Sequence, residues 1–328
     1  MTKLPTTLTL VLVVQLGLAA ALYWAGTSEV KEEEPLLAAL ERVDKLLISD
    51  ADQKTTLSRS NDEWTIEQLD NLPADAARIT EALDRVGDVS LGFPVTTTSS
   101  AHERFEVADD DHQRHLEIYA DNDTLGSVFL GSSPGFRQLH LRRDGEDEVY
   151  AVEMNVYDYP SDPEQWLDKQ LLAIDAITQI EGEDYTLQLK DEKWTLSSGE
   201  DVNIETVEDL VSAIGGLRIN GTGEPLSGEE LKEVEVIVTR DGEPVMFKFQ
   251  SAGADYRVSR SDLGSVFSLS QYEFGRIAEL GLADIRVDKV SEASGEEDYG
   301  SSVLDKLMPD LQSEETDFPQ VPLAPGDG

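Results

Sequence analysis

Two segments about 130 residues apart carry the same succession of signals, and that repetition limits the folds open to this chain. In the first, Thr55-Thr56-Leu57-Ser58-Arg59 and Trp64-Thr65-Ile66 flank the polar turn Ser60-Asn61-Asp62-Glu63. A polar gap follows, and Pro73 and Asp75 open a helix through about Val86 that carries Ala76, Ile79, Ala82, Leu83 and Val86 on one face, with Gly87 as its stop. In the second, the strand Thr186-Leu187-Gln188-Leu189-Lys190 turns through Asp191-Glu192-Lys193 into Trp194-Thr195-Leu196. Asn203 then caps a helix through Ile214, with Val207, Leu210, Val211 and Ile214 on one face and Gly215-Gly216 beyond it. Trp64 and Trp194 hold equivalent places. The repeated context predicts large core residues that pin each hairpin onto its helix, rather than platforms for ligand stacking.

Strands dominate the remainder of both halves. In the first, His115–Ala120, Gly126–Leu130, Gln138–Arg142 and Glu148–Val152 read as a meander whose last join, Asp144-Gly145, tolerates positive φ. The order restarts at Gln165-Trp166-Leu167-Asp168, which leads into Leu171–Ile180. After the second helix, Val234–Thr239 and Val245–Phe249 form a hairpin about Asp241-Gly242. Tyr256-Arg257-Val258 and Val266–Leu269 extend that sheet, and Glu273–Leu280 reads as a short helix. Leu36, Leu37, Leu40, Val43, Leu46 and Leu47 have helix-like spacing, with a strand as the alternative at the end of the run. The expected class is α+β: two related halves, residues 31–165 and 166–290, each an antiparallel sheet with an amphipathic helix.

Upstream lies Leu8–Trp24, an uncharged apolar run long enough to cross a bilayer. Lys3 precedes it, and Glu29, Glu32, Glu33 and Glu34 follow, so residues 1–30 are expected to form an uncleaved transmembrane anchor with the body on the extracytoplasmic side. Tyr23 and Trp24 sit where an interfacial aromatic belt would lie. A cleaved signal peptide is the competing reading, since Ala19–Leu22 offers an Ala-x-Ala site. Residues 291–328 hold ten acids against one Lys, with Pro319, Pro322 and Pro325, a composition expected to stay disordered.

Acidic residues number 67 and basic residues 26, for a net charge of −41. That balance disfavours nucleic acid, whose phosphates require Lys and Arg, and disfavours lying flat on anionic lipid. The acids are spread along the whole chain, which fits a solvated surface better than one cationic partner. There is no Cys, which removes disulfides, thiolate metal sites, Cys nucleophiles and lipid acylation together.

These features resemble the family catalogued as domain-of-unknown-function family 4340. The resemblance rests on Val43–Ile48 leading to Leu57 and Trp64, on the junction Trp166-Leu167-Asp168 with Leu171-Leu172, Ile174 and Ile177, and on Tyr185-Thr186-Leu187 with Trp194-Thr195-Leu196 and the helix after it. It covers roughly residues 36–280, and its motifs, Trp64, Trp166 and Trp194 among them, are structural. Members are often encoded near a gliding-motility-type ABC transporter and its extracytoplasmic auxiliary protein. The resemblance therefore implies a single-pass protein of the bacterial inner membrane, with a periplasmic body and an ABC permease, its ATPase and the auxiliary protein as partners. The family has no agreed catalytic residues to carry over.

The search for chemistry turns up little. His112-Gln113-Arg114-His115 beside Asp109-Asp110-Asp111 is the best metal candidate, but a loop with Arg114 between the two His reads as a solvated polar segment. Asp121-Asn122-Asp123-Thr124-Leu125-Gly126 begins like a calcium loop but has Leu at position five and Ser132 at position twelve, so it reads as a turn. Asp50-Ala51-Asp52 fails in the same way. There is no Gly-x-Ser-x-Gly elbow, Walker loop, dinucleotide fingerprint or His-Glu-x-x-His, and the four His all fall within residues 102–140. No catalytic, cofactor-binding or metal-binding residue is assigned. The expectation is a non-enzymatic, membrane-anchored accessory or scaffold protein. The alternative is a solute-binding module with its site between the two halves.

Overall fold

The computed structural model describes residues 34–287 apart from 38, 39 and 122, together with residues 15 and 17. The expected anchor (but for those two residues) and the acidic tail lie outside this set. Among the described residues no helix is long and apolar enough to cross a membrane. Contacts group the chain through Arg286 into one unit, which is the part considered below.

The architecture is mostly antiparallel β, in two sheets of eight strands with few helices. The first half contains β1 (Glu34–Pro35), β2 (Lys45–Ser49), β3 (Lys54–Ser60), β4 (Glu63–Ile66) and β5 (Leu72–Pro73). Helix α1 (Ala76–Gly87) and β6 (Ser90–Leu91) come next, then β7 (Arg114–Ala120), β8 (Asp123–Leu130), β9 (Leu139–Arg143) and β10 (Val149–Val152). The second half contains β11 (Ile177–Glu181), β12 (Thr186–Lys190), β13 (Lys193–Leu196), α2 (Ile204–Gly215) and β14 (Gly221–Gly223). It continues with β15 (Lys232–Arg240), β16 (Glu243–Ala252), β17 (Asp255–Arg260), β18 (Val266–Ser268), α3 (Gln271–Ala278) and α4 (Leu282–Ile285).

The first sheet has the order β10-β9-β8-β7-β2-β3-β4-β5, and the second, read from the matching end, β14-β18-β17-β16-β15-β11-β12-β13. Each half thus builds a three-stranded unit, crosses over through one helix, and returns with a four-stranded meander whose first strand pairs with the first strand of the unit. The extra strand falls at opposite ends: β5 beside β4 in one sheet, β14 beside β18 in the other. β1 and β6 form a separate two-stranded pair.

The repetition extends to single residues. Asn61 and Asp62 have φ of 52° and 66°, and Asp191 and Glu192 have 49° and 61°. Both hairpins therefore close with two left-handed residues, the turn that matches the twist of paired strands. Trp64 then faces Arg59 across the ladder, and Trp194 faces Leu189. Asp75 accepts the Arg78 N–H at 3.0 Å and Asn203 accepts the Thr206 N–H at 3.4 Å, so both helices begin with a side-chain cap and both are 12 residues long. Ile79, Ala82, Leu83 and Val86 are buried on α1, and Val207, Leu210, Ala213 and Ile214 on α2.

The stretch Leu36–Ile48 departs from its helical spacing. It forms one 3-10 turn at Leu40–Arg42 and then β2. Leu46, Leu47 and Ile48 are consecutive and all buried, because β2 lies inside its sheet with both faces covered. A strand buried on both faces loses its alternation and cannot be told from a helix by period. The matching run from Leu171 is irregular until β11 begins at Ile177.

One continuous hydrophobic core joins the two halves. It takes in Leu46, Ile48 and Leu57 of the first sheet, Leu187, Val236 and Phe247 of the second, and the buried faces of α1 and α2. The linker between the sheets runs through it. Trp166 is fully buried, its indole N–H donates to the Pro160 carbonyl at 2.8 Å, and the Arg78 guanidinium lies 5.1 Å from the ring centroid. The linker backbone also adds a rung to the first sheet: Ala74 and Leu167 form an antiparallel bridge, the Asp75 N–H donates to Trp166 O at 2.8 Å, and the Asp168 N–H donates to Pro73 O at 3.0 Å. A core shared in this way should unfold as one body. We expect coincident urea transitions by far-UV circular dichroism and fluorescence, and a loss of about 3–5 kcal/mol for Trp166→Ala. Two separated transitions would contradict the shared core.

Candidate functional site

At the seam between the halves a cleft of about 680 Å³ opens, lined from the first half by Gln68, Asp70 and Leu72 and from the second by Thr222, Glu224 and Ser265, among others. Each wall is fixed locally. The Gln68 carboxamide is clamped to Thr56, accepting its N–H at 2.8 Å and donating to its hydroxyl at 3.2 Å. Asp70 ends the 3-10 turn Glu67–Leu69 with φ of 53°. Across the cleft, the Glu164 carboxylate accepts the Thr222 N–H at 3.1 Å and the Thr222 hydroxyl, and so ties β14 to the linker. β14 can lie this close because Gly221 has no side chain: a Cβ there would fall 2.6 Å from Glu164 Oε2.

The polar side chains of this cleft are two carboxylates, two hydroxyls and the Gln68 carboxamide, set among Leu69, Leu72, Pro225 and Val266. The nearest linker cation, Lys169, is bound to the carbonyls of Glu164 at 2.9 Å and Asn220 at 2.7 Å. Burial pushes the Lys169 ammonium below its ordinary pKa, against the pull of Glu164 and Asp162. Among the described residues no group of three or more His, Asp or Glu side chains could hold a metal ion. Chemically, such a cleft can accept hydrogen bonds from a hydroxylated or cationic solute.

A second polar cluster locks the linker from the other side. Asp50 Oδ1 accepts the N–H groups of Asp52 and Gln53 at 2.9 and 2.8 Å, which makes Asp50-Ala51-Asp52 a self-closed turn. Asp50 Oδ2 receives the Ser161 hydroxyl at 2.5 Å and Arg114 Nη1 at 3.0 Å. Arg114 Nε also donates to Tyr159 O at 2.9 Å, and the buried Thr55 hydroxyl donates to Ser161 O at 2.7 Å. Burial would raise the Asp50 pKa, but the Ser161 hydroxyl, the two backbone N–H groups and Arg114 together hold it below the ordinary carboxylate value. Sequence reading met Asp50 only in a rejected calcium loop and Arg114 only in a polar loop, and did not join them to Ser161, because Asp50 and Ser161 lie 111 positions apart.

The His112–His115 segment is not the solvated loop that its composition suggests. Residues preceding β7 fold back over the outer face of the first sheet, where Val107, Phe129 and Val149 form a small second core. The His115 ring stacks on Phe129 at 4.2 Å, the His112 ring lies 5.0 Å from it, and the Arg142 guanidinium lies 4.4 Å from its centroid. The two imidazoles serve separate partners: His112 Nδ1 bonds Ala108 O at 3.0 Å and His115 Nε2 bonds the Ser127 hydroxyl at 2.8 Å. Arg142 is buried and satisfied, since Nε donates to Val107 O at 2.7 Å and Nη2 reaches Asp109. Burial depresses the pKa of both His115 and His140; for His115, Glu117 opposes that shift while His112 and Arg142 reinforce it.

Trp64, Trp166 and Trp194, the three among the described residues, are distributed along the core. Trp166 sits at the seam, Trp64 is buried under the Arg59 guanidinium at 5.5 Å, and Trp194 is partly buried against the core edge. Comparison with known proteins bears on all three. The model of the family described as "Domain of unknown function (DUF4340)" matches residues 64–235. The chain belongs to the DUF4340 family. No curated protein and no solved structure matches it. The matched span begins at Trp64, crosses the seam and ends in β15, so the DUF4340 match takes in parts of both sheets and both crossover helices.

Two outcomes follow from this geometry. The depressed histidines favour the folded state when neutral. Their contribution is complete above about pH 6.5, the unfolded value, and is lost as pH falls through the lower folded values. The thermal midpoint of wild type minus that of His115→Gln should therefore shrink as pH is lowered from 7 to 5. A constant difference would remove His115 from the effect. Asp50→Ala should destabilise the body by about 1–3 kcal/mol in urea titrations, because Ser161 and Arg114 lose a buried acceptor.

Proposed function

We propose that this DUF4340 protein is a non-enzymatic accessory scaffold, anchored in the bacterial inner membrane by its N-terminal apolar segment, with its body on the periplasmic side. Its partners on this reading are the permease, ATPase and extracytoplasmic auxiliary protein of an ABC-type export or envelope system. One observation carries the scaffold reading: the two sheets share one core through a pinned linker. A protein that clamps a solute between lobes needs a hinge, whose residues absorb large changes of φ and ψ. Here the linker is held by Trp166, by the Asp50 cluster and by the added rung at Leu167, so the body is suited to hold partners at a fixed spacing.

The edges of the sheets support the same reading. Thr96 bridges to Val149 along β10, Leu167 bridges to Ala74 beyond β5, and Glu164 covers β14. β13 ends the second sheet with no further bridge among the described residues. Its counterpart β4 is paired with β5. An open edge beside Leu189 and the half-buried Trp194 offers backbone hydrogen bonds to an added strand. Mild crosslinking in native membranes followed by mass spectrometry should recover transporter subunits with the protein. Recovery of the folded chain alone would remove the scaffold reading.

The seam cleft favours a second reading, a solute-binding site without large closure. A hydroxylated or cationic solute bound there at 100 times its dissociation constant would add about 2.7 kcal/mol of stability, and Asp70→Asn with Glu224→Gln should abolish the shift.

A further inference from the structure

One end of the first sheet gathers exposed aromatic side chains that the core does not use. Phe93, Phe136 and Tyr157 are 82 %, 88 % and 79 % exposed, unusual values for residues of this kind. Register places them together. Val152 at the end of β10 pairs with Leu139 at the start of β9, so the loop carrying Phe136 and the segment carrying Tyr157 leave the sheet side by side. Thr96 bridges antiparallel to Val149, which brings residue 93 to the same end of β10. Arg137, Glu153, Met154, Asn155 and Asp158 line a common concavity of about 590 Å³, so the segments carrying Phe136 and Tyr157 meet there. The Arg137 guanidinium lies 5.2 Å from the Phe136 ring centroid, so this aromatic carries a cation on its face.

The amino-terminal chain enters the body at this end. Glu34 pairs with Leu91 in an antiparallel ladder, so the point at which the described body begins lies two residues along the chain from Phe93. Nine residues, 25–33, separate Trp24 from Glu34. Fully extended, the ten steps from Trp24 to Glu34 span at most about 36 Å. On the anchored reading above, Glu34 therefore lies within about 36 Å of the bilayer, at the same end of the body as the aromatic cluster.

We propose that Phe93, Phe136 and Tyr157 form a membrane-facing surface that rests in the headgroup region of the bilayer beside the anchor. Aromatic rings with a polar or cationic companion suit that region, where one end is apolar and the other wet. The strongly acidic body would be repelled by anionic lipid, so the surface suits zwitterionic headgroups. Docking this end would orient the body and direct the opposite end of the first sheet, with the Asn61-Asp62 turn, away from the membrane.

The chain has no Cys, so single-Cys probes are clean reporters. The full-length protein would be placed in nanodiscs of phosphatidylcholine and phosphatidylethanolamine, carrying an environment-sensitive fluorophore at Phe136→Cys or, on the far end, at Glu63→Cys. The expected result is a blue-shifted Phe136→Cys probe, quenched several-fold more by headgroup-labelled lipid than the Glu63→Cys probe. Equal quenching of both by aqueous iodide, with the protein co-eluting with the disc, would overturn the membrane-facing surface and leave the anchor intact. A protein that does not co-elute with the disc would overturn the anchor and this inference with it. Shielding of Phe136→Cys in native membranes but not in nanodiscs would assign the surface to a protein partner and overturn the lipid assignment.

Discussion

The burial of Trp166 in the segment between the sheets is the contact on which the rest of the body depends. A linker between two repeats is ordinarily the place where a chain bends. Here its largest side chain is fully buried and its indole N–H is satisfied within the linker itself, at Pro160 O. The backbone on either side bonds the edge of the first sheet, and Lys169 spans from Glu164 to Asn220. Moving one half against the other would expose the indole and break these bonds together. The two sheets therefore behave mechanically as one, and whatever binds along their edges is held at a fixed separation.

The same order of elements frames both halves, and the two differ in how their sheets are covered. The hairpin, the capped helix and the meander repeat in the same order. What differs is the coverage. The first sheet has its terminal strand β4 paired with β5 and its outer face covered by the segment that brings Phe105 and Val107 over Phe129. In the second sheet β13 lacks the counterpart of β5, and β14 is instead added at the other end. Its outward ladder includes Ile237 opposite Met246, neither of them fully buried.

Much of this frame was legible in the residues. Asp144-Gly145 and Asp241-Gly242 mark turns that the structure closes with positive φ at both glycines, and Asp75 and Asn203 cap the helices they announce. The strands that pattern left open or missed were of two kinds. β2 lies inside its sheet with both faces buried, so its apolar residues run consecutively and imitate a helix. β5 and β14 are two and three residues long, too short to show any period. The polar clusters were illegible for a different reason. Asp50 meets Ser161, and Arg142 meets Asp109, only after the sheet has brought distant segments together. Arg142 sits on the face of β9 that alternation assigns to solvent, and the covering segment that buries it carries no periodic signal of its own.

The acidity of the chain takes on a definite meaning once its cations are located. Arg78 donates to Gln165 O, Arg114 to Tyr159 O, Arg142 to Val107 O, Arg143 to Leu36 O and Arg260 to Leu171 O. Lys169 donates to two carbonyls at the seam. These carbonyls lie outside the strands of the two sheets, in turns, a 3-10 segment and an isolated bridge. A charged donor on a long stem reaches such a carbonyl from the adjacent sheet or helix and makes a stronger bond than a neutral one. Six basic residues thus serve backbone carbonyls, while others, Arg42, Arg85 and Lys248 among them, pair with exposed carboxylates.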